Sequence, residues 1–424
     1  MALALSLSPS YLFARALAKS LSMYDLLLLV VHRSKCFQFL PVELVADIVE
    51  ALHFGEPQER DSIYHRQRSL TACSRTSVKL GERAQIELFR RPYLSHHLDR
   101  FERSLRARPF LANQIEHVTI DLRHDVHPSI ESGPATRIVP LLQGDRMKSI
   151  GLMEVRKVGL RHLAQVPNLE RLRIHLMTYA SHFNQFSPFP HEIAHIPFVN
   201  LTSLSLSAIH LPYPSGDSSP VSELYTADML PNLRALEVDE CCVRVVSKIN
   251  EFHFLRYLAV RCSCTQCIHE LHLQETLFEP LELFEVNAQP YFLDYFRRYT
   301  RRLPEFKRLR VSAEMPRFRS GRNALVIMQV LVEGLKNQAT SPFRHVVQIS
   351  LPDYWSDHQS PLVQERCTEL LAAAKQARVR IDFDVEDEGT RIDRETRAAC
   401  FTSGFWKSVE RLKDIEKRAS YKLC

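Results

Sequence analysis

The chain has 424 residues, 45% hydrophobic and 25% charged, with a net charge of +6. That is the balance of an ordinary folded protein, too apolar for disorder and without the dense basic stripe of a dedicated nucleic-acid binder. Only 11 glycines occur, none of them in a GxxxxGKS/T, GxGxxG or GxSxG arrangement, so phosphate-cradling loops and nucleophile elbows, and with them the commonest enzyme classes, have no support.

Residues 1–36 carry no acid before Asp25, and their apolar run is broken by Pro9, Arg15, Lys19 and Asp25. No window supplies the roughly 20 apolar residues of a membrane-spanning helix. A leader, poorly ordered or docked, is expected there, with a transit peptide as the alternative. The first segment that specifies structure is FLPVELVADIVEALH, from Phe39. Pro41 suits the first position of a helix, where its missing N–H costs nothing, and Glu43 meets the positive end of the helix dipole. Leu44, Ile48 and Leu52 recur every four residues with Val45 and Val49 beside them, an apolar stripe wide enough to pack on two neighbours. Leu70 with Cys73, and then Leu80, Ala84, Leu88 and Phe89, mark two further short helices. Three such helices bury too little to stand alone and need a neighbouring domain or a partner.

These residues resemble the F-box, the module that docks a substrate receptor onto the Skp-type adaptor of cullin-RING ubiquitin ligases. Leu40, Pro41, Glu43, Leu44 and Ile48 stand at the family's L-P-x-E-L-x-x-x-I positions, and Cys73, Ser74 and Arg75 resemble its second-helix signature. The resemblance spans residues 37–94. It implies a helical domain in which Leu40, Pro41, Glu43, Leu44 and Ile48 contact the adaptor, while ubiquitin transfer is left to the associated ligase.

Beyond residue 94 the pattern L-x-x-L-x-L, with apolar swaps, recurs from Ile115, Met147, Leu169, Leu201, Leu233, Leu255, Leu281, Phe306 and Val346. Each occurrence is a short alternating strand signal, and helical stretches such as NALVIMQVLVEGL lie between them. Strand, connection and helix in repetition is the plan of a leucine-rich repeat. The starts are about 22 to 40 residues apart, so the repeats resemble the degenerate kind attached to F-boxes in many fungal and plant receptors. A Rossmann-like α/β domain is the alternative, but the glycine fingerprint is missing. Leu169, Leu172, Leu201, Leu204, Leu233, Leu236, Leu255 and Leu258 are expected to be buried, on parallel strands of one sheet.

Two stretches have metal-ligand chemistry. HEIAH, at 191–195, has the spacing of a zinc-protease helix. Pro188, Pro190 and Pro197 leave about one helical turn around it, too little to hold both imidazoles on one metal. CSCTQCIH, at 262–269, offers Cys262, Cys264, Cys267 and His269, with Cys241 and Cys242 in the preceding repeat, but lacks the paired knuckles of a zinc ribbon. Cys262 and Cys242 read instead as small residues closing a repeat, and no metal is expected at either stretch. Arg297, Arg298, Arg301, Arg302, Lys307, Arg308 and Arg310 crowd one window. It reads either as a recognition patch for an acidic or phosphorylated target or as the solvated face of a repeat helix.

The C-terminal residues 391–424 end in FWKSVERLKDIEKRA, expected as a capping helix, since repeat arrays need one. The sequence therefore predicts an α/β chain in four parts. These are the leader (1–36), a helical F-box-like domain (37–94), an irregular leucine-rich-repeat solenoid (95–390) and the cap (391–424). The function expected is that of a non-enzymatic substrate receptor of an SCF-type ligase, without cofactor, nucleic acid or membrane, whose repeats bind a protein target. The alternatives are a repeat scaffold without adaptor binding and, resting only on HEIAH and CSCTQCIH, a metal-dependent hydrolase. Ten cysteines at uneven spacing in a chain of this size read as reduced thiols, in cytoplasm or nucleus.

Overall fold

The computed structural model describes residues 71, 78–94, 98–121, 137–153, 163–177, 197–209, 226–239, 249–261, 280–287, 305–312, 321–338, 342–352, 355–356 and 358–384. They form an α/β structure built on one sheet of eleven strands. The strands are β1 (Tyr93–Leu94), β2 (His117–Asp121), β3 (Ser149–Met153), β4 (Arg171–Met177), β5 (Ser203–Ile209), β6 (Ala235–Asp239), β7 (Tyr257–Arg261), β8 (Leu283–Asn287), β9 (Arg308–Ser312), β10 (Gln348–Pro352) and β11 (Arg380–Asp384). Spatial order equals chain order, and every neighbouring pair is parallel.

The register follows from the sequence pattern. Side chains alternate across a strand, and the apolar residues of each strand pair with those of the next: Ile150 with Leu172, Leu172 with Leu204, Leu204 with Leu236, Leu236 with Leu258. A slip of one residue would carry every one of them to the polar face. The eight leucines expected in the core are all at most 2% exposed. Each such side chain contributes roughly 1.5–3 kcal/mol by leaving water.

Where each connection enters its strand, a second ladder repeats. The N–H of Glu170 donates to the carbonyl of Lys148, that of Thr202 to Glu170, that of Arg234 to Thr202 and that of Arg256 to Arg234. Just upstream, Asn168 donates from its amide to the Asp145 carbonyl, Asn200 to Pro167 and Asn232 to Val199, at 2.7, 2.5 and 2.8 Å. Each asparagine bonds the residue preceding the equivalent position one strand earlier. The series stops at β7, where Phe254 takes the asparagine's place and is half exposed.

Among the described residues the sheet is accompanied by short 3-10 turns and by the α-helices α1 (Val78–Arg90), α2 (Leu98–Ala107), α3 (Gly321–Lys336) and α4 (Pro361–Ala377). In α3, Ala324, Ile327, Met328, Leu331 and Leu335 recur at helical spacing and are buried in the same cluster as the strand leucines. Helix α4 opens on Pro361 and presents Val363, Cys367, Leu370 and Ala374 as its buried stripe. Gly334, on α3, lets the buried Phe343 approach: a Cβ there would meet its ring at 2.6 Å. At the other end, Arg137 joins Asp99 and Glu102 of α2 at 2.9 and 3.3 Å. No described helix is long and apolar enough to cross a membrane.

Candidate functional site: the polar face of the sheet

Parallel sheets covered on both faces read as continuous apolar runs, whereas these strands alternate. One face holds the core and the other carries polar residues in rows, because the register is kept from strand to strand. One row runs through Arg171, Ser203, Ala235 and Tyr257 to Leu283, and the next through Gly151, Arg173, Ser205, Glu237, Ala259 and Glu285. Arg310 then faces Glu285, and Ser350 faces Arg310.

The charges are matched along these rows. Ser205 donates from Oγ to the Glu237 carboxylate at 2.7 Å, and Tyr257 from its hydroxyl to Glu285 at 2.6 Å. An Arg310 nitrogen stands 3.8 Å from the same Glu285 oxygen. Gln348 and Arg380 both donate to Asp382, at 2.5 and 2.6 Å. At the first strands, Tyr93 donates to the buried Asp121, and His117 lies half-buried on β2. Burial first, and then the cations Arg91, Arg171, Arg90 and Lys148, push the His117 imidazole down to about 3.

Exposure varies sharply along the face. From β5 to β8, Ser203, Ser205, Ala235, Glu237, Tyr257, Ala259 and Glu285 are all at most 2% exposed. Arg171 and Arg173 on one side, and Arg308 and Arg310 on the other, are only half-buried. The centre is thus an acidic and apolar block between two arginine pairs. The charged groups still reached by solvent beside the block are the half-buried arginines that flank it. Among the described residues no group of three His, Cys, Asp or Glu side chains converges to hold a metal ion.

Of the residues singled out from the sequence, Leu40, Pro41, Glu43, Leu44 and Ile48 lie outside the described residues. So do Arg297, Arg298, Arg301 and Arg302, the HEIAH histidines and the CSCTQCIH cluster. The basic window is described only at its end. Lys307 pairs with Glu282 at 2.5 Å at the entry to β9, and Arg308 and Arg310 sit on the polar face. The central block, Ser205, Glu237, Tyr257 and Glu285, was not anticipated. Its signal was present in the residues between the leucines, and it emerges when SLSL, ALEV, YLAV and LFEV are stacked in register.

Comparison of the chain with known proteins finds no matching family model and no matching curated protein.

Proposed function

We propose that the chain is a substrate-receptor subunit of an SCF-type ubiquitin ligase. Residues 37–94 dock the Skp-type adaptor as an F-box-like unit, and an irregular leucine-rich-repeat solenoid over 95–390 presents the polar sheet face to a protein target. The observation that carries the reading is the sheet's strand order. Eleven parallel strands in chain order, each one unit further along, support a repeat array over a doubly wound domain, whose order doubles back at a switch point. The adaptor half rests on the resemblance at Leu40, Pro41, Glu43, Leu44 and Ile48. Ser77 and Val78 stand where that family has an aromatic residue, so adaptor binding is the step to test. Such a receptor has no catalytic residues and no cofactor, and works in cytoplasm or nucleus.

The test is a pull-down of the Skp-type adaptor by the wild-type chain and by the double variant Leu40→Ala, Ile48→Ala. Each large aliphatic anchor contributes on the order of 1.5–3 kcal/mol, so the pair should cost roughly two decades of affinity or more at about 1.4 kcal/mol per decade. Circular dichroism should remain that of the wild type. A wild-type chain that captures no adaptor leaves the scaffold reading in its place.

A further inference from the structure

The two arginine pairs of the polar face are placed regularly. Arg171 and Arg173 lie two apart on β4, and Arg308 and Arg310 two apart on β9, so the members of each pair share one face of the sheet. All four are half-buried: the strands hold their stems while solvent reaches them. In the sheet order β4 and β9 are five strand spacings apart, about 24 Å.

Each pair can take an anion whatever else it bonds within the chain. A guanidinium carries five N–H donors and no acceptor, so Arg310, which stands 3.8 Å from Glu285, has further donors to offer. The pair on β4 is extended by its neighbours. Ser149 is the register partner of Arg171, and His117 that of Ser149. Both are half-buried, so three successive strands present an imidazole, a hydroxyl and a guanidinium in one row. After burial, it is the cations Arg91, Arg171, Arg90 and Lys148 that lower the proton affinity of His117, which gathers four positive charges around this end of the face.

We propose that the two pairs are docking points for an acidic segment of the protein target, which crosses the strands in extended form and sets one cluster of Asp or Glu side chains on each pair. At about 3.4 Å per residue, a separation of about 24 Å corresponds to clusters about seven residues apart. Carboxylate and arginine pair through two parallel charge-assisted bonds, which fix orientation as well as adding affinity. The face also disfavours a uniform polyanion. Between the pairs it carries Glu237 and Glu285, so a nucleic acid, with a charge at every step, would set negative over negative, whereas a peptide can leave those positions neutral. The inference deepens the receptor reading and rests on it for the partner's being a protein target.

The experiment selects from a displayed library of random peptides, long enough to span both pairs, on the immobilised full chain. The salt is held at about 0.15 M, where the screening length is about 8 Å and only close ion pairs survive. The expected result is enrichment of Asp and Glu in two clusters about seven residues apart. A synthetic copy of an enriched peptide should bind roughly tenfold more weakly to Arg171→Gln, Arg173→Gln and to Arg308→Gln, a decade for a charge-assisted bond lost. The second variant leaves Arg310 and Glu285 in place, and so serves if the double variant on β4 does not keep the wild-type circular dichroism. Selection without acid enrichment, or enrichment that persists on both variants, would overturn the proposal, as would displacement of the peptide by a single-stranded oligonucleotide of equal charge. The adaptor pull-down reads out separately: a chain that captures adaptor but selects no acidic peptide loses this inference alone. A chain that selects acidic peptides without capturing adaptor keeps the docking face, on a scaffold.

Discussion

His117 shows how one residue makes the fold sensitive to pH. Its ordinary value is 6.5, and burial together with Arg91, Arg171, Arg90 and Lys148 lowers it to about 3 in the folded chain. Between those values the unfolded chain binds a proton that the folded chain refuses. The stability is therefore complete above about pH 6.5 and is lost as pH falls toward 3, at up to about 1.4 kcal/mol per unit. Urea midpoints at pH 7 and pH 5 should differ by roughly 2 kcal/mol more in the wild type than in His117→Asn. Equal differences would show that other groups set the acid limit. Tyr257 sets a different kind of constraint, because its hydroxyl answers the fully buried Glu285. In Tyr257→Phe the carboxylate loses that donor, at a cost of about 1–3 kcal/mol. Glu285→Gln keeps an acceptor for the hydroxyl but gives up the charge that faces Arg310.

The connections are governed by side-chain bonds to backbone, and the asparagine series shows it. Asn168, Asn200 and Asn232 each tie one connection to its predecessor, while Phe254 leaves the Pro231 carbonyl, next in the series, without such a donor from position 254. Phe254→Asn should extend the ladder by one bond and remove an exposed aromatic, stabilising the chain by about 0.5–1.5 kcal/mol. An unchanged or lower urea midpoint would mean that the aromatic ring is held by contacts of its own. At α3 the direction reverses: Gly334→Ala pushes a methyl group into the Phe343 ring, which is packed edge-on against Phe306. Alanine favours helix, but overpacking costs about 1–3 kcal/mol, so a net loss is expected.

At the scale of the whole molecule, the apolar half of the sheet was legible and the polar half was not. The nine L-x-x-L-x-L stretches are β2 to β10, because alternation and burial on one face are local properties of each stretch. NALVIMQVLVEGL is likewise α3. Strand β11 went unread because RIDFD carries its alternation on Ile381 and Phe383 without a leucine. Helices α2 and α4 went unread because polar residues outnumber their buried ones. The matched pairs Ser205 with Glu237 and Tyr257 with Glu285 join residues 32 and 28 apart, and only a register kept through connections of unequal length brings them together. That same linear register decides how the molecule comes apart. If the sheet is the repeat array proposed above, with each unit touching only its neighbours, stability is a sum of local and nearest-neighbour terms. Leu258 lies on an inner strand at 0% exposure, with partners on both sides, whereas Ile381 on the last described strand is only half-buried. Leu258→Ala should therefore cost about 2–5 kcal/mol and split the urea transition, since the units on either side lose their coupling. Ile381→Ala should cost less than half as much and leave a single transition, with its effect confined to β10 and β11 in hydrogen exchange. Equal losses at both positions, with one transition each, would mean that the sheet unfolds as a single cooperative core and that the array is not modular.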